Sequence, residues 1–341
     1  MWNVVNLLNP AAIINRLTTE ITAEKLINSG EDPIQPIMDI VHGSIMKYDI
    51  ATTRYGLKVV AEQFIGCLDS NTEKGISKHF WNHLDRVGRL TVSKEDEEAA
   101  VEILANVERF GRISAERGFK LVTAVSIEIL GDLEIVATKK ELEFMTLQIA
   151  SSLGIVGEAA ANNDYEDSAS RAVQSLETCG IDSVEKRLKY ASTQAERSIR
   201  NIGVAAAGNK LGNTTEQAAR SLGFIGVAAA KNGLEFETAH AAKLLENIGR
   251  AAYTEGIKEG TKRAALALGH VGGAAAEALL KDMTREVAAY LAKLTALNEE
   301  IVNTAIRDNK SFLEETYPLE FSTFVNVYEE ELDKIRTEKQ K

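Results

Sequence analysis

The chain of 341 residues is 45% hydrophobic and 26% charged, ordinary values for a well-packed protein, and is long enough for two domains or one extended repeat array. Its formal net charge of -11 argues against bulk nucleic-acid or anionic-membrane binding, while leaving room for a local basic patch. Cys67 and Cys179 form no metal-type spacing, which excludes a disulfide framework and suits a reducing compartment, and no apolar run approaches the ~18–20 residues that span a bilayer.

In chain order, residues 1–87 read as an N-terminal helical cap. "NPAAIINRLTTEITAEKLIN" has the apolar spacing of an amphipathic helix, and a second helix opens near Pro33, a residue suited to a first turn. Asp49 caps a third, and "NTEKGISKHFWNHLDRV" supplies a fourth. Within it, His79 and His83 share one helix face and can reach one ion, which makes them the metal candidate. Phe80 stands where a hydrolase of the HExxH type needs glutamate. Trp2 and the following "VVNLL" read first as part of a helix packed on the cap and, as the alternative, as an interfacial anchor, so membrane contact is open only through the N-terminus. The start lacks the basic flank and cleavage pattern of a secretory signal, and a cytoplasmic location is expected. The stretch "DPIQPIMDIVHGSIMKYD" resembles the soluble part of some predicted membrane proteins of unknown function, which implies descent from a membrane-attached module.

From 88 to 280 the sequence repeats itself. Steps of 23 residues land on Gly88, Gly111, Glu134, Gly157, Gly180, Gly203, Gly226, Gly249 and Gly272. Chance would place so many glycines in one column with odds on the order of 10⁻⁸. One residue earlier stand Val156, Cys179, Ile202, Ile225 and Ile248; four earlier stand Leu153, Leu176, Ile199, Leu222 and Leu245. At ~100° per residue these columns, with small residues eight and seven before the glycine and three after it, fall on one helix face. That face is a ridge of large side chains beside a trough of small ones. A mid-helix glycine costs ~1 kcal/mol against alanine, so the glycines are expected where a neighbouring helix comes close.

The ends of each unit are also readable. Thr123, Thr146, Ser192, Thr215, Thr238 and Thr261 share one column and suit helix N-caps. Gly118, Gly233 and Gly256 suit the left-handed position that ends a helix, and the apolar residue after each suits a Schellman ending. The spacing predicts one helix of ~17 residues and a loop of ~5 per unit, with successive helices antiparallel because so short a loop cannot return to the starting end. The fold class is therefore all-α: antiparallel single-helix repeats stacked as an α-solenoid or an elongated bundle, with helical caps. Two units make a hairpin of 46 residues, and the array resembles HEAT and armadillo-type solenoids in architecture and period. That resemblance implies a scaffold binding other macromolecules on an extended surface; the proline and the Asp/Arg pattern of HEAT units are absent.

On the outward face, Arg197, Arg220 and Lys243 recur in three consecutive units, and Arg112 and Arg250 occupy the position just after the glycine. Phe224, Val204 and Val227 also point away from the expected core. Cations beside apolar side chains on a rigid array suit an acidic peptide or helix. Beyond 281 the signature fades: "TREVAAYLAKLTALNEEIVNTAIRDN" reads as one long helix, and a second, containing Pro318, ends in a charged tail, so that 281–341 form a C-terminal cap.

The extended surface and the lack of a recognisable catalytic constellation lead to a non-enzymatic interaction scaffold or adaptor, without a cofactor. Its expected partner is a protein, and self-association is open to it. Two alternatives remain, a cytoplasmic regulatory module beside a membrane protein and a metal-dependent enzyme centred on His79 and His83.

Overall fold

The computed structural model describes residues 97–339 except Leu319, together with Asp85, Gly88, Arg89 and Val92. The cap expected over 1–87, with Trp2 and the stretch around Pro33, falls almost wholly outside them. The described residues form helices and no strand: α1 (Glu97–Arg117), α2 (Lys120–Lys139), α3 (Glu143–Asn162), α4 (Glu166–Glu185), α5 (Lys189–Gly208), α6 (Gly212–Lys231), α7 (Glu235–Thr254) and α8 (Lys258–Glu277). The C-terminal part adds α9 (Lys281–Thr295), α10 (Glu299–Asp308), α11 (Lys310–Thr316) and α12 (Glu320–Lys339).

The helices from α2 to α8 are each 20 residues long, leaving three-residue links, so the expected lengths of ~17 and ~5 need correction. The ends explain why so short a link suffices. In each link from α1 to α9 the residue before the last is left-handed: Gly118, Gly233 and Gly256 as expected, but also Glu141, Asp164, Arg187, Lys210 and Leu279 with φ near 60°. The next residue closes a Schellman motif, as when the Leu142 N–H donates to the Ala137 carbonyl at 3.0 Å and the Leu211 N–H to Ala206 at 2.8 Å. That same apolar residue is the N-cap of the following helix and gives it no side-chain hydrogen bond.

The Thr/Ser column is therefore not a row of N-caps. Thr146, Thr215 and Thr238 lie one turn inside their helices, buried, and return their hydroxyls to the carbonyls of Leu142, Leu211 and Leu234 at 3.0, 2.9 and 2.7 Å. A hydroxyl that caps a free N–H in one setting satisfies itself on a carbonyl four residues back in another. Helix starts are completed instead from a neighbour: the Tyr190 N–H donates to Glu143 Oε1 at 2.8 Å, and the Asn213 N–H to Glu166 Oε1 at 3.1 Å.

Each helix from α3 to α7 packs against the helices one and two places away on either side. Odd- and even-numbered helices thus form two layers, antiparallel to each other and parallel within themselves, which is an α-solenoid rather than a closed bundle. The glycine column is where this happens. A Cβ on Gly203 would stand 2.7 Å from Ala218 Cβ, on the next helix, and 2.9 Å from Ile248 Cδ1, on the helix after that. Gly157 meets Ala172 and Ile202 in the same way, and Gly226 meets Ala241 and Val271. Each large residue before a glycine is the knob for the glycine two units back. Burial agrees: Ala218, Ala219, Leu222, Ile225 and Ala229 of α6 are wholly inaccessible.

The exception in the glycine column has a partner. Glu134 stands where the knob of α4 should dock, and that knob is Cys179 instead of a branched aliphatic residue. The smaller side chain leaves room for the Glu134 carboxyl, which is buried and accepts from Thr138 Oγ1 at 2.7 Å. Burial raises this carboxyl to about 7, against the pull of its hydrogen bonds to Thr138 and Cys179 and of the Lys186 charge; Asp182 adds to the rise. Burial also pushes the Cys179 thiol well up, so it stays protonated.

The packing continues one helix past the expected boundary at 280: Leu294 of α9 docks on Gly249 as the earlier knobs dock on theirs. The single helix expected from 284 to 309 is two, because Asn298 turns the chain and caps α10 by accepting from the Ile301 N–H at 2.9 Å. Pro318 likewise divides the last segment into α11 and α12, since its ring removes a helical donor. α12 folds back on α8 and α9, placing Phe324 against Gly272 and Tyr317 against Gly273, and so covers the end of the array. α3 is long and apolar enough to cross a membrane by length and composition, contrary to the expectation above; 61% of that window is buried in the fold, which accounts for its composition.

Candidate interaction face

The two layers decide which outward residues can act together. Arg197 on α5 and Lys243 on α7 share the outer face of the odd layer, one hairpin apart, and neither forms an ion pair among the described residues. Arg220 and Phe224 lie on α6, in the even layer, where the guanidinium sits 5.8 Å from the Phe224 ring centroid. The three consecutive cations therefore do not make one row, because adjacent helices face opposite ways. Arg112 and Arg250 both belong to the odd layer but are separated by α3 and α5. Arg112 is paired with Glu116 at 2.9 Å, and Arg250 with Glu246. Val204 and Val227 are only part-buried, against the rim of the core.

Around Arg197 and Lys243 the face has a consistent chemistry. Every carboxylate between Tyr190 and Asn201 on α5, and between Phe236 and Asn247 on α7, is buried. Arg200 adds a third cation there; its Nη1 donates to Asn201 at 3.0 Å, and its Nε has no acceptor among the described residues. At the end of the same face stand Phe144, Tyr190 and Phe236, the second residues of α3, α5 and α7, exposed by 49, 66 and 52%. These rings recur every 46 residues on one edge of the array, each linked to the next rung. Glu143 accepts the Tyr190 N–H, and Lys189 Nζ lies 4.8 Å from the centroid of the Phe236 ring. Beside Phe236, between the α4–α5 and α6–α7 links, opens a groove of about 510 Å³, with Val184, Gly233, Leu234 and Phe236 among its walls, and Arg187, Lys189, Glu235 and Glu237 among its charged ones.

Behind the face lies a buried acid. Glu196 is inaccessible; one carboxylate oxygen contacts His240 Nδ1 and the other has no partner. Burial lifts its carboxyl to about 7, opposed by the hydrogen bond and charge of His240 and by Arg197, and reinforced by Glu237. His240 in turn stacks on Phe236, with centroids 5.9 Å apart and planes 9° apart, so the buried acid is mechanically joined to the aromatic row.

On the even layer, Glu128, Asp132, Gln174 and Arg171 surround a second cleft of about 330 Å³ between α2 and α4, with Glu134 at its wall. Among the described residues no group of three or more His, Cys, Asp or Glu side chains comes together to hold a metal ion. The candidate pair His79 and His83 lies outside the described residues.

Neither a family model nor a curated protein matches the chain. Among solved structures the chain is similar to a circular tandem repeat protein with novel repeat topology and enhanced subunit contact surfaces, at 14% identity and a TM-score of 0.44, over 96% of this chain and 83% of that one.

Proposed function

We propose that this protein is a non-enzymatic interaction scaffold, and that the outer face of α5 and α7 holds an acidic peptide segment of a partner protein. The observation that carries the reading is the pairing of Arg197 with Lys243: two cations one hairpin apart, without ion-pair partners among the described residues, on a stretch whose own carboxylates are buried. In a protein of net charge -11 such a strip is a local reversal of sign. It favours encounter with negative segments, and with any acidic surface, at low salt. Rigid helices present the cations at fixed separation, which lowers the ordering cost of binding.

Titration of fluorescently labelled Glu-rich peptides, followed by anisotropy at low and moderate salt, tests the reading. Arg197→Glu combined with Lys243→Glu is expected to abolish binding, whereas Arg220→Glu on the opposite layer leaves it intact. Equal loss from both variants, or binding to neither the parent nor Arg220→Glu, would remove the assignment of this face.

A further inference from the structure

We infer that the acidic segment lies extended across α3, α5 and α7, with apolar side chains three residues apart seated against the row Phe144, Tyr190 and Phe236. This rests on the scaffold reading and specifies the conformation and register of what is bound. Same-layer helices pack ~8–10 Å apart, and small contact residues such as the glycines here favour the near end of that range. A polyproline-type segment advances ~3.1 Å per residue with three residues per turn, so side chains three apart return to the same side, whereas in a β-strand they point to opposite faces. Every third side chain of an extended segment therefore meets the next rung at ~9–10 Å. A docked α-helix would match the same pitch only at every seventh residue and is itself ~10 Å across.

The shape of the site favours the narrower occupant. The groove beside Phe236 has Gly233 in its wall at the left-handed link position, where an added Cβ would meet nothing within 4 Å. One rung earlier that link position carries Arg187. Val184, Leu234 and the Phe236 ring give the groove apolar contact for one or two side chains rather than for a helix. The backbone makes a matching offer. Glu143 satisfies the Tyr190 N–H, but Lys189 replaces that glutamate one rung on, and among the described residues no side chain accepts the Phe236 N–H. A carbonyl or carboxylate of an extended ligand reaches it as the segment crosses α7. Further along the same helices, Arg197 and Lys243 meet acidic side chains flanking the apolar ones. Charge and apolar anchors thus lie on two parallel lines, which the different sides of a three-residue-per-turn extended segment can address together.

The test uses the full chain and three labelled peptides of equal net negative charge: two leucines three apart, two leucines seven apart, and none. The three-residue spacing is expected to bind at least tenfold tighter than the other two. Tyr190→Ala combined with Phe236→Ala is expected to erase that difference while leaving the weak, salt-sensitive binding that all three share. Because both rings are exposed, helical content by circular dichroism should not change. Affinity that ignores spacing, or spacing preference that survives loss of both rings, overturns the register while the scaffold reading stands if Arg197→Glu with Lys243→Glu still abolishes binding. Tighter binding of the seven-residue spacing assigns a helix and overturns the extended conformation. Absence of binding by every peptide removes both proposals.

Discussion

If Glu134 and Cys179 are a compensated pair, restoring the ordinary pair at their positions should stabilise the array by more than the two single changes sum to. In Glu134→Gly, Cys179 is too small to fill the vacated notch, and a cavity remains. In Cys179→Ile, the added methyl groups press on a carboxyl already buried, an overpacking that costs ~1–3 kcal/mol. In the double variant the isoleucine meets a glycine, as Ile202, Ile225 and Ile248 do. Two extra buried carbons contribute ~1.6 kcal/mol, against ~0.6 kcal/mol for replacing glutamate by glycine in a helix. The buried carboxyl adds a pH-dependent part. Its folded pKa of about 7 lies above the ordinary 4.5, so its stabilising contribution is complete below 4.5 and is lost as pH rises through 7. Between pH ~5 and ~8 that loss is ~2.5 kcal/mol. The double variant should therefore exceed the parent by ~1 kcal/mol near pH 5 and by ~3–4 kcal/mol near pH 8. The assay is urea unfolding followed by circular dichroism at both pH values, with all four members of the cycle. Additivity of the two single changes within ~0.5 kcal/mol, or a gain that does not grow with pH, would refute the compensation.

Other changes test the remaining features of the fold. Gly203→Ala is expected to destabilise by ~1–3 kcal/mol, because the new methyl meets Ala218 and Ile248, whereas Gly208→Ala, with nothing within 4 Å, should stabilise by ~0.5–1 kcal/mol; thermal unfolding of the two distinguishes packing from propensity. Arg187→Gly relieves a left-handed residue at φ 60° and should raise the unfolding midpoint slightly, by up to ~1 kcal/mol, without altering helical content. His240→Ala removes the main influence holding the Glu196 carboxyl down, so that carboxyl should titrate above 7, and the pH at which stability falls should move upward; carboxyl-carbon NMR follows the group directly, and an unmoved titration would show that His240 does not govern it.

The repeat, its buried face and its glycine contacts were legible in the sequence because each depends on a local rule applied nine times. A missing side chain inside an otherwise good helix has few explanations, and Gly203 against Ala218 is the one expected. The helix ends were half legible. Glycine at a link reports its own backbone freedom, but Thr146 or Thr238 carries a hydroxyl that serves a free N–H or a carbonyl equally well, and only the packed helix decides which. The link positions filled by Glu141, Arg187 or Leu279 gave no signal at all, since tertiary contacts hold them left-handed. The face was misread for a geometrical reason. A step of 23 residues superposes both layers, so Arg197, Arg220 and Lys243 look continuous, while Phe144, Tyr190 and Phe236 alternate with Asp167 and Asn213 and look like noise. A step of 46 would have separated them. Glu196 with His240 had no pattern to find: the pair depends on two helices meeting.

The alternation of layers also constrains how such a chain can change length. Gain or loss of one 23-residue unit would reverse the side on which every later helix appears, sending Phe236 and Lys243 to the back of the molecule while Tyr190 and Arg197 stayed in front. Gain or loss of 46 residues would merely lengthen or shorten the strip by one rung. Parity, more than composition, therefore governs which insertions keep the surface whole, and natural variants of this chain should differ by even numbers of units.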